Sequence, residues 1–310
     1  MLSRVASHLY WMARYLERAE NMARILDVGQ LLALVSRGVH DNGAAIEPLV
    51  ITNSLDAFDA SGRDRTPEDV AAYLAWDALH ESSIFNCLRN SRENARAVRA
   101  DITTEMWEDI NHTWLQLLQK RHQESQPADN AFFEWVKERS HLFRGITFAT
   151  IRRDQPYHFI RLGTFLERAD NTARILSVKQ TLGAVAAARN DITDYYRLSA
   201  VLRSVSAFEA YRDTYRDAVD ERRVAELLIL DPTLPRSLRF CFDEIVRLLQ
   251  LLPDATAKPA RRLAATMHAH LEFADLEEIY SHDYRAFLED FLNQMVQLGD
   301  AVHHAYLELK

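Results

Sequence analysis

Apolar residues along the start of the chain recur with a helical period. Leu9, Met12, Ala13, Leu16, Ala19, Ala23 and Leu26 fall on one side of a helix with 3.6 residues per turn. The spacing predicts a long amphipathic helix over about 3–36, with the Ser3 hydroxyl placed to accept from an orphan N–H of the first turn. Residues 38–43 break it. Helices are predicted next over about 46–59, 67–75, 80–99, 101–123 and 130–150. Thr66-Pro67-Glu68-Asp69 reads as an N-cap, a proline at the first helical position and an acidic first turn. A polar break at 126–129 precedes the helix at 130. Pro156 opens a second long helix to about 188, followed by helices over 191–215, 221–230, 235–251, 259–273 and 283–309. Breaks fall at Asp231-Pro232 and between Pro253 and Pro259. No stretch shows sustained strand-type alternation. The expected fold class is all-α, a helical bundle with long antiparallel helices.

The two long helices repeat each other. Residues 8–30 read HLYWMARYLERAENMARILDVGQ and residues 158–180 read HFIRLGTFLERADNTARILSVKQ. At a constant offset of 150, 12 of 23 positions are identical, where average composition gives roughly one or two. The same offset pairs Ser54, Ala57, Phe58 and Ala60 with Ser204, Ala207, Phe208 and Ala210. After a four-residue insertion, Leu74, Asp77, Ser83 and Cys87 pair with Leu228, Asp231, Ser237 and Cys241. A single domain of two internal repeats, about 1–122 and 151–310, is therefore expected. The paired cysteines read as small packing residues rather than as a disulfide or nucleophile.

The repeat carries a polar stripe. Arg14, Glu17, Asn21 and Arg24 line one side of the first helix, beside its apolar face, and Arg18 falls to the flank. Glu167, Asn171 and Arg174 reproduce the stripe, Arg168 repeats Arg18, Asp170 keeps the charge of Glu20, and Thr164 replaces Arg14. A merely solvated stripe has no need to keep these residue types in both copies. Two accounts fit: a buried Arg–carboxylate network between helices, or a polar pocket for a carboxylate, phosphate or amide. A second cluster, Arg92, Asn94, Arg96 and Arg99, is a solvated basic face or an anion or partner patch.

Composition narrows the picture further. Glycine and proline number only 8 each in 310 residues, which suits long elements with few turns. The net charge of −8 does not favour nucleic acid. No run of about 18 apolar residues and no signal-peptide core is visible, so a cytoplasmic protein without a membrane span is expected. No phosphate-binding glycine loop or nucleophile elbow is present. Glu138 and His141 form a lone Glu-x-x-His pair, and His268, His270 and Glu272 alternate around their helix. No metal set or cofactor is therefore expected.

The strings LERAENMARIL and LERADNTARIL, with Ser-Arg-Glu-Asn-Ala-Arg at 91–96, Glu105-Met106-Trp107-Glu108 and Pro235-Arg236-Ser237, resemble the alpha-E family over essentially the whole chain. That is a bacterial all-helical domain named for a shared Glu-Arg motif. The resemblance implies association with a circularly permuted ATP-grasp protein, often accompanied by a transglutaminase-like protein. It thus implies a place in a system that makes or modifies a peptide or amide. The first functional expectation is an accessory or partner protein of such a ligase. The alternatives are an enzyme of the same pathway using the paired Glu-Arg stripes, with Glu17 or Glu167 as base, and a helical scaffold.

Overall fold

The computed structural model describes residues 1–35, 42–122, 128–185, 191–253, 256–281 and 283–308. The break expected at 38–43 lies mostly outside them, as do parts of those expected at 126–129 and between Pro253 and Pro259. Every regular element among the described residues is helical. The first half holds α1 (Ser3–Val35), α2 (Asn42–Ile51), α3 (Leu55–Ala60), α4 (Pro67–Trp76), α5 (Ile84–Ala97) and α6 (Thr104–His122). α7 (Asn130–Thr150) leads into the second long helix, α8 (Gln155–Val185). Then follow α9 (Asp191–Ser204), α10 (Phe208–Tyr215), α11 (Glu221–Leu230), α12 (Leu238–Leu251), α13 (Lys258–Glu272), α14 (Leu276–Ser281) and α15 (Tyr284–Val302), closed by a π-helical turn at His303–Leu307. No helix among the described residues is long and apolar enough to cross a membrane.

The central pair is α1 and α8, and it runs parallel. The Met1 amine donates to Gln155 Oε1 at 3.2 Å, Gly163 lies against the Tyr10 carbonyl, and Arg14 meets Glu167. Partner numbers rise together along both helices, which corrects the expectation of antiparallel long helices for this pair. Antiparallel packing belongs to their neighbours. Going down α5 and into the turn before it, Asn94, Ser91 and Ser82 meet His8, Met12 and Arg18 of α1. On the other side Lys137, Ser140 and Arg144 of α7 meet Asp27, Glu20 and Glu17. α12 packs on α8 in the same sense, with Phe240 on Phe165 and Arg236, just before α12, at Thr172. Apolar side chains from both halves form one continuous core around this pair.

Local chemistry explains several boundaries. Thr66 Oγ1 accepts from Asp69 N at 3.1 Å, as the cap sequence requires. Ser3 lies inside the first turn of α1 instead of capping it, since the N–H groups of Val5 and Ala6 both donate to the Leu2 carbonyl. The helix expected from residue 80 starts only at Ile84, because Asp77 first builds a turn. Its Oδ1 accepts from Leu79 N and His80 N, Ser83 Oγ donates to the Asp77 carbonyl, and Ser83 then caps α5. Asp231 and Ser237 make the same bonds ahead of α12.

Two predicted helices are each split in two. Asn53 and Ser206 adopt left-handed backbone, with φ of 54° and 55°. The following N–H, of Ser54 and Ala207, turns back to the carbonyls of Leu49 and Leu202 at 2.8 and 2.7 Å, closing α2 and α9. These matching stops lie 153 residues apart, not 150. The pairing of Ser54 with Ser204 is therefore corrected to Ser54 with Ala207.

Gly163 shows how close the central helices come. A Cβ built there would stand 2.5 Å from the Tyr10 carbonyl oxygen and 3.3 Å from Arg14 Cγ. Gly145 of α7, by contrast, faces open space. Gly163→Ala is expected to cost about 1–3 kcal/mol in chemical denaturation through overpacking. Gly145→Ala is expected to be neutral or stabilising by up to about 1 kcal/mol, from helix propensity alone. Equal effects of the two substitutions would refute the close approach.

Candidate functional site

The Glu-Arg pairs of α1 and α8 meet across the parallel interface and exchange partners. Arg168 donates from Nε to Glu17 Oε1 at 2.9 Å and from Nη2 to Oε2 at 3.3 Å. Arg18 donates from Nε to Glu167 Oε1 at 2.6 Å and from Nη2 to Oε2 at 3.0 Å. Each motif carboxylate is thus gripped in a bidentate fork by the motif arginine of the other half. Arg18, placed off the stripe by helical angle, is a central member because its long side chain reaches round to the partner helix.

Further arginines close the shell around each carboxylate. Arg14 donates to Glu167 Oε2 at 2.7 Å and to the Tyr10 hydroxyl at 3.1 Å. Around Glu17 stand Arg236 Nη2, 2.8 Å from Oε1, and Arg144 Nη1, 3.0 Å from Oε2. Glu20, fully buried, takes Arg24 of its own helix at 2.8 Å, Arg236 at 2.8 Å and the Ser140 hydroxyl at 2.7 Å, together with Arg144. Arg236 also donates to Asn21 Oδ1 at 2.6 Å. On α8, Asp170 and Arg174 form the corresponding pair at 2.7 Å. The amide nitrogens of Asn21 and Asn171 are buried without an acceptor.

The electrostatics follow from this crowding. Burial by itself would raise the Glu167 carboxyl, but Arg18 and Arg14 overcome it and hold the group at about 2. Burial likewise opposes ionisation of Glu17, and Arg168, Arg236 and Arg144 together carry it below the usual carboxylate range. Against its own burial, Glu20 is pulled well down by Arg236, a hydrogen bond from His141 and Arg144. Carboxylates this firmly ionised are poor proton acceptors at neutral pH.

The stripe residues Arg14, Glu17, Arg18, Asn21, Arg24, Glu167 and Arg168 come together in this network. Asp170 and Arg174 form a separate pair farther along α8. The network also holds residues that sequence reasoning did not place there, among them Glu20, Ser140, His141, Arg144 and Arg236. The one signal for them was the charge kept between Glu20 and Asp170.

In the second cluster, Arg92 and Arg96 both pair with Glu93. Asn94 turns inward, its Oδ1 2.8 Å from His8 Nδ1, while Arg92 and Arg99 flank the Trp107 ring. Arg96 is 67% exposed and, among the described residues, meets only Glu93, at 3.7 Å. Cys87 and Cys241 are buried free thiols, pushed up to about 12 by burial. No group of three or more His, Cys, Asp or Glu side chains fit to hold a metal ion occurs among the described residues.

Fold and site together define an all-helical protein joined through its middle by a buried, reciprocal Glu–Arg clamp. The chain belongs to the Alpha-E family, described as a predicted alpha-helical domain with a conserved ER motif, which it matches over residues 1–307. It is 24% identical over 314 aligned residues to an uncharacterised protein of Mycobacterium bovis and to one of Mycobacterium tuberculosis. Each alignment covers 93% of this chain and 35% of the relative, so the chain spans about a third of the length of the curated relatives it matches. No solved structure matches the chain.

Two outcomes follow from the clamp. Glu17→Gln leaves several guanidiniums facing a neutral amide, and is expected to cost about 3–5 kcal/mol in urea unfolding; a loss under 1 kcal/mol would show that the clamp is not structural. The second outcome is a pH dependence. Glu167 titrates at about 2 when folded and near 4.5 as a free side chain. Its stabilisation is therefore fully present above about pH 4.5 and is lost as pH falls through about 2. Circular-dichroism unfolding from pH 6 to 2 should show falling stability in that window, with a shallower fall for Glu167→Gln.

Proposed function

We propose that this chain is an accessory or partner protein of an ATP-grasp-type carboxylate–amine ligase system, contributing binding and no catalysis through its Glu-Arg motif. The observation that carries this reading is the fate of the motif itself. Glu17 and Glu167 are 2% and 5% exposed, and arginines from the opposite half occupy both oxygens of each. A general base must reach a substrate proton and accept it near the working pH. These carboxylates are enclosed and firmly ionised, so the geometry favours the structural account of the stripe over an active site built on Glu17 or Glu167.

The accessory role itself rests on family membership and on the lack of a nucleotide-binding loop in the sequence. The proposed partner is a circularly permuted ATP-grasp protein, with a transglutaminase-like protein as a further member of the system. In the same reading the domain is a duplication, with repeats at about 1–122 and 151–310. The matched Asp77–Ser83 and Asp231–Ser237 turns and the reciprocal clamp support that reading.

Co-expression tests the role directly. This chain and an ATP-grasp protein encoded beside it are expected to co-elute on size exclusion, and addition of the chain is expected to change ATP turnover by the ligase. Separate elution together with unchanged turnover would refute the proposal.

A further inference from the structure

Arg161, in the second turn of α8, is the arginine beside the clamp that has no carboxylate. Its Nε is buried with no hydrogen-bond partner, and no ion pair reaches it among the described residues. Its guanidinium carbon lies 4.5 Å from the centroid of the Phe165 ring. Burial, above all, pushes the group below its ordinary value, and Tyr157, Glu244 and Glu17 do not offset the loss. A buried guanidinium N–H without an acceptor is costly unless something supplies one.

The surroundings make the deficit larger. Glu17, Glu20 and Glu167 face Arg14, Arg18, Arg24, Arg144, Arg168 and Arg236, so cations already outnumber carboxylates in the clamp. Arg161 adds another in a chain whose net charge is −8. A cavity of about 20 Å³ opens between α1, α7 and α8, lined by Arg161, Arg144, Phe143, Phe148, Tyr157 and Ile160 among others. That space takes about one water-sized group. Phe148 is 68% exposed, so an entering molecule need not displace buried core there. The hydrogen bonds of Arg144 to Glu17, Glu20 and Ser140 all run through Nη1.

We propose that this cavity is a binding site for the carboxylate of a small organic acid, held by Arg161 and Arg144, with its apolar or aromatic body outside the cavity against the exposed Phe148. A planar carboxylate matches a guanidinium fork and needs few further donors. A phosphate is bulkier, brings a third strong acceptor oxygen and suits apolar walls less well. The site is independent of any partner, because its residues all belong to α1, α7 and α8.

Benzoate is the probe, used on the full chain. Its melting temperature should rise with benzoate concentration as a bound ligand requires, and should not rise with sodium chloride or inorganic phosphate at equal ionic strength. Arg161→Gln should lose the benzoate response. In the wild-type chain, benzoate should slow phenylglyoxal modification of Arg161, read by peptide mass mapping, and this readout decides the matter if the variant does not fold. No benzoate-dependent rise, an undiminished response in Arg161→Gln, or unchanged modification of Arg161 would overturn the site. An equal rise with phosphate would overturn its assignment to carboxylates.

Discussion

The exchange of Glu17 with Arg168 and of Glu167 with Arg18 is the constraint on which the rest of the molecule depends. Two carboxylates are buried between parallel helices, and burial of a charge is tolerable only with close, well-directed partners. A bidentate guanidinium supplies them, but only if the helices lie near enough and in register. Gly163 provides the close approach by leaving the Tyr10 carbonyl unobstructed. The charge then recruits other elements. Arg144 ties α7 to α1, and Arg236 ties the loop before α12 to the same carboxylates. Much of the tertiary arrangement around the central pair therefore answers one electrostatic requirement.

The two sides meet that requirement differently. Glu167 receives its second arginine from Arg14, whose counterpart in the other helix is Thr164. Thr164 instead donates to the Ile160 carbonyl of its own helix. Glu17 receives help from Arg236, whose counterpart is Ser82, and from Arg144. Ser82 accepts only a long 3.3 Å bond from Arg18. An arginine on a helix and one in a loop serve the same purpose, since a buried carboxylate needs total donor capacity more than a particular donor. The Glu17 side is left richer in cations, and the cavity at Arg161 opens on that side.

Helix class was legible from the sequence because period and capping are local. Thr66 caps α4 as read, whereas the turn built by Asp77, which delays α5 to Ile84, was not read. Direction was not legible. Periodicity says which face is apolar but not whether a partner helix runs up or down, and so the parallel α1–α8 pair was missed. The stops at Asn53 and Ser206 were missed because neither is glycine or proline, although asparagine tolerates left-handed backbone better than most residues. Arg144 and Arg236 were out of reach of motif reasoning, lying 127 residues from Glu17 and 216 from Glu20. Arg18 was set aside by its angle, yet a side chain of that length acts well beyond its own Cβ direction.

The chemistry of the motif bears on how it should be used. Glutamate in a family signature invites a catalytic assignment, because perturbed carboxylates gather at active sites. The direction of perturbation decides between the readings. A general base needs its carboxyl raised toward neutrality, which desolvation without nearby cations achieves. Here the cations win over desolvation and drive the carboxyls down, to about 2 for Glu167. An ion pair that holds helices together drives carboxyls in that direction. Retention of both Glu and Arg in each long helix then reflects the high cost of leaving either one buried alone. Beside the motif, Arg161 Nε is buried with no hydrogen-bond partner among the described residues.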